Sequence, residues 1–243
     1  VNVLILDVET NSLGPFAKPP VEGHVLEVGA VLYSVDHRCV IATYSDLVDD
    51  IRTNEAVAVN HIPEAILSLG TTAFKVSERL FDLAERADVT CAHRKEFDRS
   101  FLTDMLRTTT PDHLLLRLPM FCTKNEVEWP LSKPGDGLAY VAIAHHVPVT
   151  EAHRALSDCQ LLARCFERVA ELGHDVEKMI TRALRPRTTL QSKQAFADND
   201  KAKAAGFGWV DDGKRKGWYK TIAIDDAPAF IASLPFKVDG VSA

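Results

Sequence analysis

Asp7 and Glu9 stand at alternate positions in the apolar run Leu4-Ile5-Leu6-Asp7-Val8-Glu9-Thr10. That spacing puts both side chains on one face of a strand. Two ionised carboxylates held a few ångströms apart repel each other unless a cation sits between them. An oxygen-only donor pair with no His or Cys in the motif suits Mg²⁺ or Mn²⁺ better than Zn²⁺. A strand that simply runs out into solvent would carry the same pair, and for this stretch alone that plainer reading is favoured. Residues further along the chain change the balance.

Two later segments offer groups of the same kind. Ala92-His93-Arg94-Lys95-Glu96-Phe97-Asp98 runs from the end of a buried strand into a helix, with Phe97 as a core anchor and Asp98 one position further round. His153-Arg154-Ala155-Leu156-Ser157-Asp158 places a His and an Asp five residues apart. Five residues is about 500° of helical rotation, so His153 is expected on the loop before the helix that carries Asp158. Taken singly, each is as readily a solvated charge or a helix-start residue. Taken together they form an ordered series, each in its own hydrophobic context.

The elements that must position these groups follow from periodicity. Val3–Val8, Val25–Tyr33 and Val40–Val48 read as strands, the last two joined by the polar turn Asp36-His37-Arg38, and short connections imply antiparallel neighbours. From Thr71 the period becomes helical, with Phe74, Leu80, Phe81 and Ala84 on one face. Val89–Ala92 is a short buried strand, Glu96–Arg107 a helix, Leu114–Cys122 a fifth strand, Gly137–His146 a helix and Ala152–Leu172 a long helix. The expected fold class is α/β: a mixed five-stranded sheet with helices on both faces. Residues 1–173 form this domain, 174–187 a linker around Arg185-Pro186-Arg187, and 188–243 a small α+β unit. In that unit, helices over Asp198–Ala205 and Asp226–Leu234 flank the turn Asp211-Asp212-Gly213-Lys214 between Trp209 and Trp218-Tyr219. A unit this small is expected to use its Trp residues as core. The alternative is a stacking platform for a single strand, since Trp209, Trp218, Tyr219, Lys214, Arg215, Lys216 and Lys220 mix aromatic and basic character.

Composition excludes some classes. Hydrophobic residues make up 46% and charged residues 26%, and no apolar run approaches a membrane span, so a globular chain with no membrane partner is expected. The five cysteines are odd in number and form no Cys-x-x-Cys pair, which points to a reducing, cytoplasmic compartment without structural zinc. Residues 1–185 carry 19 Lys and Arg against 27 Asp and Glu, whereas residues 186–243 carry nine against seven. An acidic body is no high-affinity duplex binder by charge alone, but a bound cation supplies positive charge where a phosphate must sit.

The series Asp7-x-Glu9, Asp98 and His153-x4-Asp158 resembles the DEDDh 3′–5′ exonucleases, the superfamily that includes the proofreading subunits of bacterial replicative polymerases, with a ribonuclease H-like fold. The likeness covers roughly residues 1–172. It extends to Glu22-Gly23-His24-Val25-Leu26-Glu27-Val28-Gly29-Ala30-Val31, to Asn60-His61-Ile62 and to Ala92-His93 with Phe97-Asp98. Phe121-Cys122-Thr123, Trp129-Pro130 and the His153–Cys159 segment look most like the exodeoxyribonuclease X branch.

The resemblance implies that Asp7, Glu9 and Asp158 ligate two Mg²⁺ or Mn²⁺ ions, that Asp98 holds the second ion directly or through water, and that His153 is the general base. It implies removal of nucleoside 5′-monophosphates from the 3′ end of DNA, single-stranded or frayed, in repair or proofreading. RNA trimming is the close alternative, and a silent binding module would need a missing ligand, which this chain does not show. Thr10, Leu13, His61, Arg94 and Phe97 fall where substrate contacts are expected. The chain departs from the family at Thr10-Asn11-Ser12-Leu13, where a Gly is usual at Ser12, and at Arg94-Lys95, where Asn-Ala is usual. Leu13 is kept as a wedge for the terminal base, and Arg94 is a new phosphate-binding candidate. Residues after 186 are outside the likeness and are open to a protein partner.

Overall fold

The computed structural model describes residues 1–49, 53–151, 153–194, 199–211 and 215–241. Asp198, at the expected start of a helix, the turn residues Asp212–Lys214, and Ala152 lie outside them.

The first unit, Val1–Leu184, opens with strands β1 (Asn2–Thr10), β2 (Val25–Ser34) and β3 (Cys39–Leu47). It continues through the short helices α1 (Val57–Asn60) and α2 (Glu64–Leu67) into α3 (Ala73–Ala84), β4 (Val89–Ala92), α4 (Lys95–Thr109) and β5 (Met120–Cys122). Helices α5 (Leu138–Ala144), α6 (Ala155–Glu171) and α7 (Val176–Ala183) complete it. The sheet order is β3-β2-β1-β4-β5, antiparallel from β3 to β1 and parallel from β1 to β5.

Alternation along β1 divides the core. Leu4, Leu6 and Val8 pack with Val76 and Leu80 of α3 and with Phe101 and Leu102 of α4. Val3 and Ile5 pack on the other face with Leu162 and Phe166 of α6 and Ile180 of α7. Both faces are covered, which is why β2 is buried along its whole length and its sequence is apolar without alternation.

Three expectations need correction. The apolar stretch 114–122 is a strand only over β5. Leu114–Leu116 is instead a single 3₁₀ turn, because the buried His113 ring accepts the Leu115 amide at 3.1 Å and folds the chain back. Phe74 is 54% exposed; the packed face of α3 is Ala73, Val76, Ser77, Leu80, Leu83 and Ala84. The segment 174–187 is not a linker. Asp175 caps α7 by accepting the Lys178 amide at 3.0 Å, and Val176, Met179, Ile180 and Ala183 join the core beneath α6. The chain divides between Leu184 and Arg185.

The second unit, Arg185–Ala243, contains β6 (Arg187–Ser192), α8 (Asn199–Ala204), β7 (Gly208–Asp211), β8 (Lys216–Ala223), α9 (Ala227–Ser233) and β9 (Val238–Val241). Its sheet has the order β7-β8-β6-β9 and is antiparallel throughout. Leu190, Ala202 and Phe207 form the core with Trp218, Phe230 and Phe236 packed around them. Only one of the two Trp residues serves as core: Trp209 is 53% exposed and meets Trp218 edge-on at 5.8 Å. Among the described residues, no helix is long and apolar enough to cross a membrane.

Candidate active site

Asp7 and Glu9 emerge on the α6 side of the sheet. What brings α6 to them is Gly29, the residue paired with Asp7 across β1 and β2. A Cβ at position 29 would stand 2.2 Å from the carbonyl carbon of Ala155, so only glycine lets the first turn of α6 rest on the strand. Cys159 fixes the contact by donating its thiol to the Gly29 carbonyl at 3.4 Å. Asp158, in that first turn, is thereby delivered over β1. Asp7, Glu9 and Asp158 each offer one carboxylate oxygen, and these three oxygens lie within 4.8 Å of one another.

Asp98 arrives from a different direction. β4 pairs with β1 only as far as Ile5, so the Val8 amide lies beyond the end of the parallel ladder. The buried Asp98 side chain accepts that amide at 3.2 Å. Asp98 stands outside the three-oxygen cluster but lines the same cavity.

The electrostatics of the four acids are those of a site built for cations. Burial, followed by the charges of Asp98, Asp158 and Glu9, holds the Asp7 carboxyl well above its ordinary range. Burial and then Asp158 push Glu9 up to about 8. Asp98 rises to about 7 through burial, against the opposing Val8 hydrogen bond, and burial also raises Asp158. Four carboxylates so placed cannot all be ionised at neutral pH by themselves. Divalent cations would restore their charge, and an all-oxygen donor set would suit Mg²⁺ or Mn²⁺.

His153 precedes α6 with left-handed backbone (φ 62°), is exposed, and donates its amide to Asp158 Oδ2 at 3.3 Å. It stands on the rim of a cavity of about 750 Å³ whose wall also includes all four acids, Thr10, Leu13, Arg94 and Phe97. Leu13 is 56% exposed there. Phe97 is braced between Phe16 at 5.3 Å and Phe101 at 4.8 Å, and the Arg94 guanidinium lies over its ring at 5.5 Å. Of the pair Arg94-Lys95, only Arg94 faces the cavity. Lys95 is spent on Glu126 at 2.6 Å, whose other oxygen accepts the Cys122 amide.

His61 is the one expected contact that the fold does not bring to the cavity. It ends α1 in a left-handed conformation, exposed, and does not line the wall. The lining residue is its neighbour Asn60, whose amide donates to the Thr10 carbonyl at 3.1 Å and whose Oδ1 accepts from Asn54 at 2.8 Å and from the Ile62 amide at 3.1 Å. His93, which the sequence includes in the likeness without a role, lines the cavity between Thr123 Oγ1 at 3.0 Å and the Asp136 carbonyl at 2.8 Å. Burial lowers His93 to about 4, keeping it neutral. The signal for both was present: each adjoins a residue already singled out.

A mixed sheet that gathers carboxylates from its first strand and two later helices over one cavity has the architecture of ribonuclease H-like phosphodiester hydrolases. Residues 4–166 match the RNase_T family, described as exonuclease; the chain belongs to this family. Solved structures agree on the fold. Exonuclease I aligns with a TM-score of 0.59 at 14% identity over 79% of this chain and 48% of that one, so this chain spans about half its length. Exonuclease X in complex with 5′ overhanging duplex DNA aligns at 0.52 and 20% identity, covering 74% and 99%. The nuclease domain of 3′hExo, a DEDDh family member bound to rAMP, aligns at 0.53 and 14% identity, covering 71% and 92%. No curated protein sequence matches.

Proposed function

We propose that this chain removes nucleotides one at a time from the 3′ end of single-stranded or frayed DNA, releasing nucleoside 5′-monophosphates. The observation that carries the reading is the convergence of three carboxylate oxygens within 4.8 Å beside a cavity with an apolar wall and a rim histidine.

Asp7, Glu9 and Asp158 would hold two divalent ions, with Asp98 supporting the second. Bound there, such ions neutralise the non-bridging oxygens and the leaving 3′ oxygen. The chain's own residues do the rest. A neutral imidazole at His153 accepts a proton from the attacking water on a ring nitrogen. The water oxygen bonds to phosphorus, the bond to the 3′ oxygen of the preceding nucleotide breaks, and that oxygen takes up a proton. Leu13 and Phe97 receive the terminal base, Thr10 lies beside its sugar, and Arg94 meets a phosphate from the cavity mouth. Asn60 holds the Thr10 carbonyl so that the floor does not shift.

The second unit would bind nucleic acid or receive a protein partner, with Trp209 exposed and Arg215 over the Tyr219 ring at 5.7 Å. All five cysteines are free, in keeping with a reducing cytoplasm.

End-labelled single-stranded DNA, duplex DNA and RNA, each with Mg²⁺ or Mn²⁺, test the reading. Stepwise shortening from the 3′ end of single-stranded DNA is expected, and His153→Ala should lower single-turnover rates by about 10²–10⁴. Faster RNA cleavage would reassign the substrate. Internal cuts, or 3′-phosphate products, would defeat the proposal.

A further inference from the structure

Beside the four acids lies another carboxylate, itself buried, for which the reaction as proposed has no use. Glu27 is 3% exposed and stands directly opposite Glu9 in the β1–β2 register. Like charges facing each other across a strand pair are destabilising, and a buried ion pair is seldom worth more to stability than an apolar pair of the same size. Pairing within the sheet therefore gives no reason for a glutamate here.

Its contacts point elsewhere. Arg154 Nε donates to Glu27 Oε2 at 3.0 Å and Arg154 Nη2 to Oε1 at 2.6 Å. The Ala155 amide donates to Oε2 at 3.1 Å. All three donors belong to consecutive residues at the start of α6, and that amide is one of the orphan donors of a helix N-terminus. The residue immediately before the clamp is His153, whose left-handed backbone leaves it on the rim with its amide on Asp158. With Gly29 admitting the helix and Glu27 gripping its first two residues, the peptide leading to His153 has one place to go.

We infer that Glu27 is a positioning residue for hydrolysis: its grip on Arg154 and Ala155 holds His153 in register with the carboxylate cluster. The inference rests on the proposed role of His153. A fork-on-fork pair fixes orientation as well as distance, which a single hydrogen bond would not do, and orienting partners of this kind are typically worth about 10–100-fold in activity.

A mutant cycle in the full chain tests it. Glu27→Gln keeps the shape and loses one acceptor, and should lower the single-turnover rate on a short DNA oligonucleotide at saturating Mn²⁺ by about tenfold or more. KM should hold at saturating Mn²⁺, whose affinity calorimetry measures separately because the Glu27 charge also acts on Asp7 and Glu9. In a His153→Ala background the same substitution should cost nothing further, because there is no base left to position. A cost that persists in that background means that Glu27 acts through the metal ligands or the fold, and overturns the inference while leaving the function standing. A near-wild-type rate for Glu27→Gln also overturns it. A near-wild-type rate for His153→Ala overturns both it and the role of His153. Should Glu27→Gln fail to fold, Arg154→Lys, which keeps the charge and loses the fork, goes through the same cycle with the same outcomes.

Discussion

Gly29 lies opposite Asp7, and the space where its side chain would be is occupied by the backbone of Ala155 and Leu156. One missing methyl thus ties the first metal-ligand candidate to the helix that carries the last. Gly29→Ala should push α6 off β2 and cost roughly 1–3 kcal/mol, the usual penalty for overpacking. The discriminating measurement is Mn²⁺ titration: affinity should drop with the melting temperature, whereas an overpacked site remote from the acids would lower stability alone.

Removing a ligand should separate activity from stability. Asp7→Asn deletes a carboxylate whose ionisation is opposed by burial and by four acidic neighbours, Asp98, Asp158, Glu9 and Glu27. The metal-free protein should melt no lower than the wild type, while hydrolysis falls by more than about a thousandfold. Scanning calorimetry with EDTA, beside a gel assay with Mn²⁺, reads both. Retained activity in the folded variant would remove Asp7 from the site.

The acids also fix how stability responds to pH. Glu9 rises from its ordinary 4.5 to about 8 and Asp98 from 3.8 to about 7 on folding. The folded state therefore binds more protons than the unfolded state across this interval, and stability falls as pH rises through it. The contribution is complete below about pH 4 and gone by about pH 8. Melting temperatures of the metal-free protein should decline from pH 5 to pH 8, and Mn²⁺ should flatten the slope while releasing protons. A metal-free profile that rises over the same range would contradict the burial of these groups.

The boundary between the two units can be tested by where the chain is cut. A chain ending at Leu184 keeps α7 and should fold and cleave short oligonucleotides, losing grip chiefly on long ones and at higher salt. A chain ending at Gly173 loses Val176, Met179, Ile180 and Ala183 from the core. It should be insoluble or melt far lower, since emptying several core positions costs a few kcal/mol at each large residue.

The carboxylates were legible in the sequence because alternation in β1 and the interrupted helix at His153–Asp158 are local patterns. The five strands were legible for the same reason. What escaped depended on partners distant in sequence. Glu27 reads as one polar residue in an apolar strand until Arg154 is beside it, and Asn60 is silent without the Thr10 carbonyl. His61 was mistaken for its neighbour because a left-handed residue after a four-residue helix turns the chain by more than periodicity reveals. Residues 174–187 looked loose because α7 is short, and its apolar face is recognisable only against the groove it fills.

The helix that brings Asp158, with His153 just before it, follows all five strands of its sheet in the chain. During synthesis, domains build from the N-terminus as the chain emerges. Strands β1 to β5 and Asp98 therefore leave the ribosome before the residues that complete the acid cluster exist. A chain stalled after Asp98 but before His153 carries Asp7, Glu9 and Asp98 but no Asp158 and no His153. Hydrolysis as proposed here would therefore await the synthesis of α6.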